Sequence, residues 1–275
     1  MAAVPESVFR RHPVIPYFML TFAISWLGAL AVAAPHLLRP EPLPKVAGIL
    51  MFPAMLLGPS LSGLLLTGIF DGRLGLRDLF GRMVRVRVSP RWYAALLIPP
   101  VVVGSVLLGL KAFVSPVFAP GHFWMGVLFG GPAGFFEEIG WTGFAFPRMT
   151  RSLHPLAAVI VLGLLWGLWH APVIDYLGTS TPHGRYWLPY FAAFTIAMTA
   201  VRVLISWIYT GTGSVLLAQL MHASSTGALV IFSPPRVTAA EEAFWYLGYG
   251  LALWGMAAAV VRLGGRRLGG RASEA

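Results

Sequence analysis

The chain has 275 residues, of which 57% are hydrophobic and only 11% charged, and its mean hydropathy is +0.74. Soluble domains sit near about 45–50% apolar and about 25% charged, so this balance excludes a disordered chain, a collagen-like repeat and a water-soluble globule. The lack of cysteine excludes a disulfide scaffold, a catalytic thiol and cysteine-ligated metal sites, and the net charge of +10 is spread as arginines between apolar runs, not gathered on a nucleic-acid-binding module.

A hydrocarbon core of about 30 Å needs roughly 20 apolar residues of helix. Eight runs predict such spans: Val14–Ala34, Val46–Phe70, Tyr93–Leu110, Phe123–Phe146, Pro155–Asp175, Leu188–Tyr209, Ser214–Phe232 and Ala243–Val261. The first follows Arg10-Arg11 and ends Ala-Val-Ala-Ala, like a secretory signal. Its apolar stretch exceeds the about 7–15 residues of such a signal, so it is expected to stay as a first helix. Between the second and third spans, Leu74, Leu76, Leu79, Phe80 and Met83 recur at helical spacing among arginines. Asp71–Arg91 therefore reads either as a helix lying on an anionic leaflet or as a solvated topogenic loop. The third span is the shortest and contains Pro99-Pro100. Residues 264–275, rich in Gly and Arg, read as a disordered tail.

With the N-terminus inside, fourteen arginines fall in cytoplasmic segments and five basic residues in outward ones. That asymmetry predicts an even number of spans with both termini cytoplasmic. The expected fold is all-α: a polytopic integral helical bundle of about eight spans, forming one domain over residues 1–275 of a multi-pass protein in the cell membrane. Membrane lipids are its surroundings.

Ionisable side chains inside apolar spans cost free energy and are functional candidates by default. Two of the ten acids, Glu137 and Glu138, stand side by side in the fourth span; His170 is in the fifth, Arg202 in the sixth and His222 in the seventh. Adjacent helical residues point about 100° apart, so the two glutamates cannot aim at one centre. Trp141 is spaced to cover either. His170 shares a face with Trp166, and His222 with Ser225 and Thr226. Three helices can thus bring a carboxylate, two imidazoles and a hydroxyl to one point. Such a set can activate water as a general base and stabilise an oxyanion, which is hydrolysis of an amide or ester.

Alternatives remain open on spacing alone. Glu137, His170 and His222 with a water also make a plausible zinc set, although the chain lacks His-Glu-x-x-His. It also lacks Gly-x-Ser-x-Gly, and Ser214 beside Gly213 is a weak sign of a serine nucleophile. The glutamates could simply pair with Arg202, or Arg202, near the cytoplasmic end of its span, could snorkel to the interface. His12, His36, His122, His154 and His183 fall at span ends or in loops, where none needs a special role.

Phe136-Glu137-Glu138-Ile139-Gly140-Trp141-Thr142-Gly143-Phe144, then Trp166-Gly167-Leu168-Trp169-His170, then His222-Ala223-Ser224-Ser225-Thr226 resemble the three motifs of the CPBP family. That family comprises intramembrane proteases, including the type II CAAX prenyl endopeptidases and bacteriocin-processing relatives. Its patterns are Glu-Glu-x-x-x-Arg, an aromatic-x-x-x-His and His-x-x-x-Asn, and the resemblance covers roughly residues 120–235. It implies an intramembrane endopeptidase acting on membrane-associated peptides or proteins. Glu137 would activate water with help from His170. His222 and the residue four positions on would stabilise the oxyanion, and Glu138 would support them. Both metal-free and zinc-dependent accounts exist for the family. Two positions depart from the pattern: Thr142 stands for the arginine and Thr226 for the asparagine. These departures leave a second reading, a non-catalytic scaffold or bacteriocin-immunity-type protein that kept the fold. A transporter using the glutamates and Arg202 is a third.

Overall fold

The computed structural model describes residues 11–37 and 44–263, so the expected disordered tail at 264–275 lies outside the described residues. Every regular element among the described residues is helical: α1 Val14–Leu37, α2 Lys45–Met83, α3 Pro90–Ala95, α4 Ile98–Phe113, α5 Val127–Gly140, α6 Phe146–Met149, α7 Pro155–Trp169, α8 Trp187–Thr212, α9 Val215–Phe232 and α10 Ala239–Leu263. Six stretches are long and apolar enough to cross a membrane, against the eight expected. The other two expected spans are present in altered form. The fifth span is only the short α7, and the fourth is divided by a π-turn, Trp141–Ala145, between α5 and α6. The chain is a multi-pass helical membrane protein.

Local chemistry sets these boundaries. Pro172 supplies no N–H to continue α7, so the helix ends at Trp169 with His170 as its cap and tightens into the 3₁₀ turn Ala171–Tyr176. The expected fifth span, Pro155–Asp175, is shortened accordingly. Pro99-Pro100 divide the third span into α3 and α4. Gly72, at φ 64° and ψ −155°, breaks α2, and the segment beyond it remains helical to Met83. The stretch after Asp71 is thus a helix, then a short extended segment, not a solvated loop throughout.

Without water to expel between spans, helix association in a bilayer rests on close van der Waals contact, and small residues permit it. Two Gly-x-x-x-Gly stripes do this here. A Cβ on Gly130 or Gly134 would run into the α9 backbone at Gln219, Ala223 and Gly227. A Cβ on Gly163 would stand 2.8 Å from Thr199 Cα, and one on Gly167 2.6 Å from Thr195 Cγ2. The first stripe seats α5 on α9 and the second seats α7 on α8. A left-handed Gly213 closes α8, and the Ser214 hydroxyl accepts the Leu217 N–H to open α9, so these two helices run antiparallel as neighbours. Ser214 also donates to the Arg85 carbonyl at 2.7 Å, which makes it a structural cap.

Candidate active site

The helices joined by these stripes carry Glu137 and Glu138 on α5, Arg202 on α8 and His222 on α9, while His170 caps α7. The two glutamates leave α5 toward different neighbours, as their angular separation requires. Glu137 faces α7: its Oε2 accepts the Trp166 indole N–H at 2.7 Å and that of Trp141, one turn along, at 3.2 Å. No described residue donates to its Oε1. Glu138 faces α8 and α9. Arg202 grips it with two hydrogen bonds of 2.7 and 2.9 Å, and the Thr142 hydroxyl donates to the same carboxylate. His222 Nδ1 lies 2.8 Å from Glu138 Oε1. An ionised carboxylate only accepts, so Nδ1 carries the proton and Nε2 is left for other work.

His170 is fixed by the same logic. Its Nδ1 is 2.8 Å from the Trp166 carbonyl, which can only accept, so the neutral ring keeps a lone pair on Nε2. The ring packs edge-on against Trp169 and Phe194, with centroids 4.7 and 5.0 Å away. Trp166 is the hub. It donates to Glu137, offers its carbonyl to His170, and meets His222 edge-on at 4.9 Å, with the Arg202 guanidinium 4.3 Å over its ring.

The structure therefore gathers Glu137, Glu138, His170 and His222 around one tryptophan. Thr226 does not join them: it is half-buried one turn beyond His222 and makes no hydrogen bond among the described residues. The snorkelling expected of Arg202 is overturned, because its side chain is fully buried on Glu138. Burying a guanidinium and a carboxylate costs each its hydration, and only good geometry with further hydrogen bonds offsets that cost. Thr142 and His222 supply those bonds. A cation thus stands beside the glutamates although position 142 lacks one.

Two features escaped the sequence reading. One is the π-turn immediately after the glutamates, a deformation that often marks functional sites. Arg82 secures it, donating to the Gly143 carbonyl at 3.2 Å and to the Tyr209 hydroxyl at 2.8 Å. The other is Trp166 as the partner of Glu137. Its available signal was a large side chain with an N–H in an apolar span, which needs an acceptor.

No group of three His, Asp or Glu side chains placed to hold a metal ion occurs among the described residues. Away from the site, His183 is not the unremarkable loop residue expected. It is buried and stacked 3.8 Å on Tyr190, with Nδ1 3.1 Å from Asp175 and Nε2 3.3 Å from Glu242. Burial disfavours its charged form, but Glu242 and Asp175 outweigh burial and raise its pKa above the ordinary value. Glu242 also accepts the Thr179 and Ser180 backbone N–H groups at 2.7 Å each, strapping the loop that follows His170.

Residues 119–228 match the family model described as type II CAAX prenyl endopeptidase Rce1-like, and the match contains every residue of the cluster. The chain is also 24% identical over 233 residues to the CAAX prenyl protease 2 of Methanococcus maripaludis, covering 78% of this chain and 83% of that protein. Across residues 119–228 the helical membrane bundle described here is thus similar to the Rce1-like type II CAAX prenyl endopeptidase family.

Proposed function

We propose that the protein is an intramembrane endopeptidase that cleaves membrane-held peptides or proteins with water activated by Glu137. The observation that carries this reading is the contrast between two adjacent carboxylates. Glu138 is neutralised by Arg202 and saturated by His222 and Thr142, whereas Glu137 is held by two neutral indoles and keeps Oε1 open. One acid is built into the frame and the other is free to move a proton. Pairs of acids in opposed environments are a recurring basis for dividing catalytic roles.

In the proposed reaction Glu137 takes a proton from water as the oxygen attacks the scissile carbonyl carbon. The lone pair on His170 Nε2 orients that water. The resulting oxyanion is met by an Nε2–H of His222, whose Nδ1 is held by Glu138. Collapse of the tetrahedral intermediate breaks the C–N bond, and the proton on Glu137 passes to the departing amine. Each proton and electron pair is accounted for without another reactant. The name of the Methanococcus maripaludis relative, CAAX prenyl protease 2, adds a substrate class: prenylated CAAX peptides. In this reading both termini lie in the cytoplasm, which the arginine asymmetry supports.

Purified protein in detergent, offered a peptide library with prenylated and unprenylated members, tests the proposal beside Glu137→Ala and His222→Ala. Cleavage by the parent alone is expected. Equal turnover by all three proteins would end it.

A further inference from the structure

The break at Gly72 folds the end of α2 back on itself, so that Leu76 Cδ1 comes within 3.7 Å of where a Cβ on Gly68 would stand. Between this segment, the shaft of α2 and α1 the fold leaves a groove of about 590 Å³, lined by Ile24, Leu61, Leu64, Leu65, Leu76 and Phe80. All six are apolar, and Leu61, Leu65 and Phe80 are about half exposed, at 47%, 54% and 50%. The groove is open to the outside of the bundle, on helices with exposed apolar residues.

Its rim has a definite charge. Arg73 and Arg77 precede Leu76 and Phe80 by three residues each, which on a helix places them beside the groove-facing pair. Both arginines are exposed, and neither makes an ion pair or hydrogen bond among the described residues. The two nearby acids are already engaged: Asp71 pairs with Arg148, and Asp78 with Arg82. The segment thus sets an apolar groove beside two exposed, uncommitted arginines.

We infer that this groove binds one anionic phospholipid of the cytoplasmic leaflet, with an acyl chain along Leu61, Leu65 and Phe80 and the phosphate on Arg73 and Arg77. The chemistry selects the occupant. A neutral lipid would leave both cations without a counter-charge, while an anionic headgroup gains favourable energy from each basic residue near it. The bound lipid would hold the segment against the bundle. An adjoining face of that segment meets the π-turn, where Leu79 fills the space beside Gly143 and Arg82 holds its carbonyl.

The test needs no substrate and does not depend on the peptidase reading. Delipidated full-length protein in detergent is titrated with phosphatidylglycerol or with phosphatidylcholine of the same chains, and retained lipid is counted by native mass spectrometry. The parent is expected to prefer phosphatidylglycerol by about thirtyfold, as two basic contacts imply. Arg73→Gln/Arg77→Gln should abolish that preference, while Arg236→Gln, on an exposed arginine at the other end of the bundle, should keep it. Equal retention of the two lipids by the parent would overturn the proposal. So would a preference that survives in the double variant, or a doubled protein mass with no lipid bound, which would mean that a second copy fills the groove.

Discussion

Arg202 and Glu138, sixty-four residues apart in sequence, close a two-pronged ion pair at 2.7 and 2.9 Å in which neither side chain reaches solvent. Removing one member of such a pair strands the other charge in a medium that cannot solvate it. Arg202→Met is therefore expected to cost about 3–5 kcal/mol, read as a fall in Tm in detergent. Adding Glu138→Gln should restore part of the loss, because the stranded charge is then gone. A double variant as unstable as the sum of the single changes would argue against a coupled pair.

Glu137 and Glu138 should respond differently to the same chemistry. Glu137→Gln retains an oxygen for the Trp141 and Trp166 indoles, so the fold should persist while peptide cleavage falls by about 10²–10⁴-fold, the usual worth of a general base. Glu138→Gln breaks the Arg202 grip and should lower Tm. Kinetics and thermal unfolding on the same two preparations separate the roles.

The packing argument makes a paired prediction within one helix. Gly134→Ala pushes a methyl into the α9 backbone, separating Glu138 from His222, at a cost of about 1–3 kcal/mol. Gly131→Ala, three residues away in a position with nothing within 4 Å, should cause no loss. Equal Tm values for the two variants would show that the glycine stripe does not set the α5–α9 distance.

The loop strap is sensitive to pH through His183. Because its folded pKa is raised, its charged form favours the folded strap, and this contribution is complete below the unfolded value of about 6.5. It is lost as pH rises through the folded value. After correction for intrinsic rates, amide exchange at Thr179 and Ser180 should speed up on the alkaline side of about pH 6.5, whereas His183→Gln should flatten this dependence.

Much of this molecule is legible in its sequence, and the parts that are not fail for identifiable reasons. Apolar runs of span length declare the helices, and Glu137, Glu138, His170 and His222 stand out because charge within an apolar run is rare. The span count was less legible. Pro172 shortens α7, and the π-turn divides the fourth span by one extra residue per turn that hydropathy does not register. The two glycine stripes were visible as Gly130-x-x-x-Gly134 and Gly163-x-x-x-Gly167, but spacing alone does not say which helix each one meets.

Periodicity and composition reach only along the chain, so by themselves they determined a polytopic helical bundle and a short roster of embedded acids and bases. Pairing across helices belongs to the tertiary structure. It decided that Arg202 binds Glu138 instead of snorkelling, that Trp166 is the partner of Glu137, and that Thr226 stays outside the cluster. The reason is physical: a buried charge or N–H in an apolar medium must find a partner, but which one it finds depends on helix rotation and close approach, set by contacts between residues far apart in sequence.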